Sequence, residues 1–235
     1  MPKVSDAHHF RKTVAGICMI AAPLLLLAGM VVHPERETDE AGQLAIVAGD
    51  MDQWFMAHLL LLGSIVLAVP AVLGLMHMLR EREVSYGHLG GGLGLLGLIA
   101  IAGVVAIDGF VGWQMAAADA DRGAMVALYE RLNETAGVVL PFFGMSFAFA
   151  LGILILAVGL YRAQAVQSWT AVFLAIGSVL VAIAAPSGSD VLDIVGSAFL
   201  FVGLASIGRM VLAETDEEWE HTPEYRGFRP LAGIR

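Results

Sequence analysis

Residues 56–79, MAHLLLLGSIVLAVPAVLGLMHML, contain no Asp, Glu, Lys or Arg. A run of about 20 apolar residues is long enough to cross a bilayer as a helix. Five further runs share this character, at 13–32, about 89–110, 137–161, 168–186 and about 190–212. A chain with six such runs has few folds open to it. Inside a bilayer every backbone N–H and C=O must be paired within the protein, so the runs must be helices. Composition agrees: 58% of the residues are hydrophobic and 15% are charged, against about a quarter charged in soluble domains. The expectation is an all-α bundle of six transmembrane helices, a single domain over 1–213, followed by an acidic tail over 214–235.

The first run follows Lys3, Arg11 and Lys12, as a secretory signal does. It is longer than a signal core, and no small-residue cleavage site closes it. It reads as a retained helix.

Basic residues in short loops set the orientation. Ten, among them Arg80, Arg82, Arg162 and Arg209, fall on the side holding both termini, and three, Arg36, Arg122 and Arg131, on the other. Both termini are therefore expected in the cytoplasm of a bacterial cell, in its plasma membrane. The net charge of −9 lies on the outer side, from Glu35 to Asp193. Trp54 and Trp113 fall at outer interfaces, and Tyr86, Tyr161 and Trp169 at inner ones, as aromatic belts require. No basic stripe suggests nucleic acid.

Two outer loops are longer than turns. In 40–55, Leu44, Val47, Met51, Trp54 and Phe55 recur at helical spacing; in 120–135, Met125, Leu128, Tyr129 and Leu132 do so. Both predict one or two amphipathic helices, lying on the outer face or running into the next span. Each precedes an out-and-back pair of spans, which suggests a weak parallel repeat. The third span is glycine-rich, and its pairs Gly87/Gly91 and Gly90/Gly94 allow a neighbouring helix to come close.

Ionisable groups at membrane depth are costly and point to function. His58 and His77 stand about 28 Å apart along one helix, at ~1.5 Å per residue, and cannot share a site. At the outer mouth, His33 closes the first span, His58 opens the second and Asp108 closes the third. Asp193 and Glu134 stand at similar depth as additional candidates. Two imidazoles and a carboxylate are a ligand set for zinc, iron, copper or manganese; two histidines on neighbouring helices also suit a haem. Asp190 and Asp193 equally suit the start of a helix, beside Ser189 as a cap. At the inner mouth, His77 and His88 flank an ordinary charged turn. Cys18 is alone, so neither a disulfide nor a cysteine-pair zinc site arises.

No hydrolase elbow, HExxH pair, phosphate loop or dinucleotide fingerprint occurs. The leading expectation is a non-enzymatic integral membrane protein whose partners are the lipid bilayer and, in an assembly, another copy or a second membrane subunit. The alternatives are a metal- or haem-binding redox or sensor protein, and a small-solute transporter.

Overall fold

A computed structural model describes residues 4–37 and 39–221. The rest of the predicted tail, 222–235, with Tyr225, Arg226, Phe228 and Arg229, lies outside the described residues, as does Lys3.

Each helix begins and ends where local chemistry directs it. Helix α1 (Val4–Val32) stops one residue short of His33-Pro34, because a residue before proline is pushed out of the helical region. Asp39 caps α2 (Glu40–Gly49), its carboxylate accepting from Gly42 N at 2.7 Å. Asp50 then ends α2 and caps α3 (Met51–Met78), accepting from Gln53 N at 2.9 Å. The expected 40–55 helix is thus split by Asp50, and its second part runs into the second span.

Helix α4 runs from Val84 to Met115. It does not end near Asp108-Gly109, as the sequence suggests. It passes through a π turn at Ala106–Val111 and continues. Asp108 is therefore an intrahelical residue, and no helix terminus explains it. Asp121 caps α5 (Arg122–Glu134). Helix α6 (Ala136–Arg162) has its own π turn at Val139–Gly144, around Pro141, which has no N–H to give to a regular ladder. Helix α7 (Ser168–Ser187) is followed by α8 (Asp190–Ala213), capped by Ser189 as expected. A capping box of Thr215 and Glu218 starts the single turn α9 (Asp216–Trp219).

No strand occurs among the described residues. Five helices, α1, α3, α4, α6 and α8, are long and apolar enough to cross a membrane; α7 is apolar over a shorter stretch, through Ala184. The order of packing is a closed ring: α1 on α3, α3 on α4, α4 on α6, α6 on α7, α7 on α8, and α8 back on α1. The seam between α4 and α6 is built of small residues. A Cβ on Gly97 would sit 2.1 Å from Phe149 N, and one on Gly152 would sit 2.4 Å from Gly94 N. Only glycine allows backbones this close. Large apolar side chains face outward from the ring, Ile99, Val66 and Val191 among them. A soluble bundle shows the reverse pattern.

The centre of the ring is filled by Met19, Leu75, Ile153, Leu156, Leu174, Leu200 and Ile207. The gap left between Ser64, Phe149 and Leu200 amounts to about 30 Å³, about one water. A second, smaller core closes one end, where Leu44 and Val47 of α2 meet Trp54, Met115, Ala116 and Tyr129. At the opposite end α9 docks the chain beyond α8. Trp219 stacks on His77, with ring centroids 4.5 Å apart, and Lys12 reaches both Asp216 and the Glu214 carbonyl at 2.7 Å.

Candidate metal centre

The smaller core surrounds the three residues singled out from the sequence. His33 follows the end of α1. His58 lies two turns into α3. Asp108 comes from the π turn of α4. One ligand atom of each lies within 4.8 Å of the other two.

The hydrogen bonds fix how each group is presented. His33 Nδ1 bonds the Pro34 carbonyl at 2.7 Å, and His58 Nδ1 bonds the Trp54 carbonyl at 2.9 Å. A carbonyl only accepts, so both Nδ1 atoms carry hydrogen. Nε2 of each ring is then the atom left to face the cluster. Burial lowers the His33 pKa below the ordinary histidine value, outweighing the bond to Pro34, so this ring is neutral at pH 7. A backbone acceptor on one nitrogen of each ring is the usual support for a metal ligand at the other.

His58 Nε2 faces Asp108 Oδ2 at 3.4 Å. Tyr129 of α5 donates to Asp108 Oδ1 at 2.6 Å. Burial, then the charge of Asp108, raises the Tyr129 pKa above the ordinary phenol value, so the hydroxyl remains a donor. The result is His58 Nε2 and a carboxylate oxygen facing each other, a contact that a proton or a metal ion between them completes. Ligand atoms around a tetrahedral ion with bonds of ~2.0–2.1 Å stand roughly 3.4 Å apart, so this pair needs little movement.

Trp54 braces the cluster. Its ring lies 4.4 Å from His58 and 5.0 Å from His33, and its Nε1 donates to the Gly109 carbonyl at 2.9 Å. It is 1% exposed, so it is a core residue of the site rather than the headgroup anchor its sequence position suggests. Gly109 gives His58 its place, since a Cβ there would fall 2.3 Å from His58 Cδ2. The π turn itself fits a site, because such turns recur where a helix is bent to aim a functional side chain.

Two sequence candidates stand elsewhere. Asp193 is buried and pairs with Arg36, which also holds Asp190 at 2.7 Å. Glu134 is exposed at the end of α5. At the far end, His77 is occupied by Trp219 and His88 bonds the Val84 carbonyl. The sequence reading missed the roles of Trp54, Tyr129 and Arg36. The polar hydroxyl of Tyr129 on an otherwise apolar helical face was the one available signal. Compared with protein families, with curated proteins and with solved structures, the chain matches none.

Proposed function

We propose that this protein is a six-span membrane protein, both termini cytoplasmic, that binds one divalent transition-metal ion at the external end of its bundle. His33 Nε2, His58 Nε2 and Asp108 Oδ2 are its ligands. The observation that carries the reading is the cluster itself: one ligand atom each of His33, His58 and Asp108 lies within 4.8 Å of the others, with Nδ1 of both rings bonded to a backbone carbonyl. Two nitrogens and one carboxylate oxygen suit Zn²⁺ or Fe²⁺ and leave a coordination position for water or a further ligand. Tyr129 and Trp54 supply the outer support that orients such ligands. A haem fits less well. The His33 and His58 rings are 5.0 Å apart with Trp54 against both, which leaves no flat slot for a macrocycle. The packed centre of the ring likewise speaks against a solute path.

The six crossings and their direction rest on the length of α7, about 30 Å for 20 residues at ~1.5 Å each, and on the uneven Lys and Arg of the loops. Cysteine labelling in intact cells tests this part: Asp50→Cys is expected to react from outside and Arg82→Cys not. Equal reaction overturns the orientation. Elemental analysis of protein purified without a histidine tag tests the site. About one metal ion per chain, lost in His58→Ala, is expected. Metal-free wild-type protein reduces the cluster to a proton-bridged pair.

A further inference from the structure

A second cavity, at the opposite end of the bundle from His58, stands apart from the proposed metal site. It measures about 230 Å³ and lies between the last turn of α3 and the first turns of α4. Its lining is divided. Leu73, Met76 and Val84 form an apolar part, and Arg80, His77 and His88 form a polar part. Leu73 and Val84 are 49% and 39% exposed on the outside of the ring, so the cavity opens sideways, toward whatever surrounds the apolar belt.

We propose that this cavity binds the phosphate of an anionic membrane phospholipid, with Arg80 as the principal ligand and the adjoining glycerol and acyl carbons on Leu73, Met76 and Val84.

Arg80 is held ready for this. One of its terminal nitrogens donates to the His77 carbonyl at 2.7 Å and the other to the Trp219 carbonyl at 2.9 Å. These bonds fix the plane of the guanidinium, which has further N–H donors to offer. Both partners are neutral carbonyls, so neither balances the charge. Three acids, Glu81, Glu220 and Glu214, act on Arg80 through their charge, and two of them also bond elsewhere, Glu81 to His221 at 3.0 Å and Glu220 to His8. Burial takes Arg80 partly out of water and lowers its pKa from the ordinary arginine value. An anion in the cavity restores what hydration it has lost. His77 and His88 line the same space. At the start of α4 the cap residue Glu83 makes no side-chain hydrogen bond to the first turn and is paired instead with Arg162 at 3.1 Å. Arginine with apolar side chains at the end of a spanning segment is the chemistry that holds an anionic headgroup.

The test uses the full chain in mild detergent, with native mass spectrometry to count retained lipid. The probes are dioleoyl-phosphatidylglycerol, dioleoyl-phosphatidylcholine and inorganic phosphate. Wild-type protein is expected to retain one phosphatidylglycerol in preference to phosphatidylcholine, and excess inorganic phosphate is expected not to displace it. Arg80→Gln is expected to weaken retention by about fivefold, the worth of one basic side chain at a membrane surface. Because Arg80 also holds Trp219, Leu73→Trp is the second variant: it fills the cavity, leaves the charge in place and is expected to weaken retention as well. Unchanged retention in Leu73→Trp overturns the proposal, as does equal retention of the two lipids. Displacement by inorganic phosphate makes it a soluble-anion site and overturns the lipid assignment. None of these outcomes depends on whether metal binds at His58.

Discussion

Replacing Gly109 by alanine is expected to damage the proposed metal centre without touching a proposed ligand. The added Cβ would lie 2.3, 2.4 and 2.7 Å from His58 Cδ2, Cγ and Cβ. Carbon atoms rest at ~3.5–4.0 Å, so the imidazole must retreat by about 1 Å. It has nowhere to go. Its Nδ1 is bonded to the Trp54 carbonyl, the Trp54 ring stands 4.4 Å away, and the His33 ring stands 5.0 Å away. Overpacking of this kind costs about 1–3 kcal/mol, which corresponds to a fall of roughly 5 °C in unfolding midpoint for a chain of this size. Metal affinity should fall by about 10–100-fold, the usual effect of disturbing the support of a ligand. Gly92→Ala on the same helix is the internal control. Nothing lies within 4 Å of its added Cβ, so it gains up to ~1 kcal/mol of helix propensity and leaves the site alone. Zinc competition against a chromophoric chelator and thermal unfolding in detergent read both variants. If Gly109→Ala matches Gly92→Ala in both assays, the packing account of His58 is wrong.

Arg36→Ala leaves the buried Asp193 carboxylate without its partner and is expected to cost about 3 kcal/mol in detergent unfolding; adding Asp193→Asn should recover part of that loss. Docking of the segment after α8 should depend on pH. Burial, with the charge of Glu218 adding to it, pushes Glu214 from its ordinary 4.5 up to about 7. The docked state therefore binds this proton more tightly than the free segment does. Its contribution is complete below about 4.5 and is lost as pH rises to about 7. Protection of the 214–221 amides relative to their intrinsic exchange rates should accordingly be lower at pH 8 than at pH 5, and Glu214→Gln should shrink the difference. The Lys12–Asp216 pair at 2.7 Å is a second tie on the same helix turn.

The apolar runs made the bundle legible, because hydrocarbon admits only a narrow set of backbone solutions. The meeting of His33, His58 and Asp108 was legible for a related reason: helix length fixes depth, and three ionisable groups at one depth on successive helices have few ways to avoid each other. The π turn was not legible. Asp108-Gly109 looks like a terminus by local chemistry, and only the packing of Gly109 against His58 and the Trp54 bond to its carbonyl carry the helix onward. Tyr129 was hidden for a similar reason, since its spacing with Met125 and Leu132 says only which face it shares. Asp193 stood as an additional candidate because sequence gives depth but not azimuth; in the structure its carboxylate is paired with Arg36. The break at Asp50 illustrates the limit of periodicity: the apolar pattern continues across it, while the carboxylate that caps α3 ends α2.

The most direct test of the central claim is a zinc titration of chelator-stripped, tag-free protein, run in parallel on wild type, His33→Ala, His58→Ala and Asp108→Asn. The account predicts one saturable site per chain in the wild type and its loss in each variant, with Glu134→Gln titrating like wild type. No saturable binding in the wild type, or binding that survives all three ligand substitutions, contradicts it.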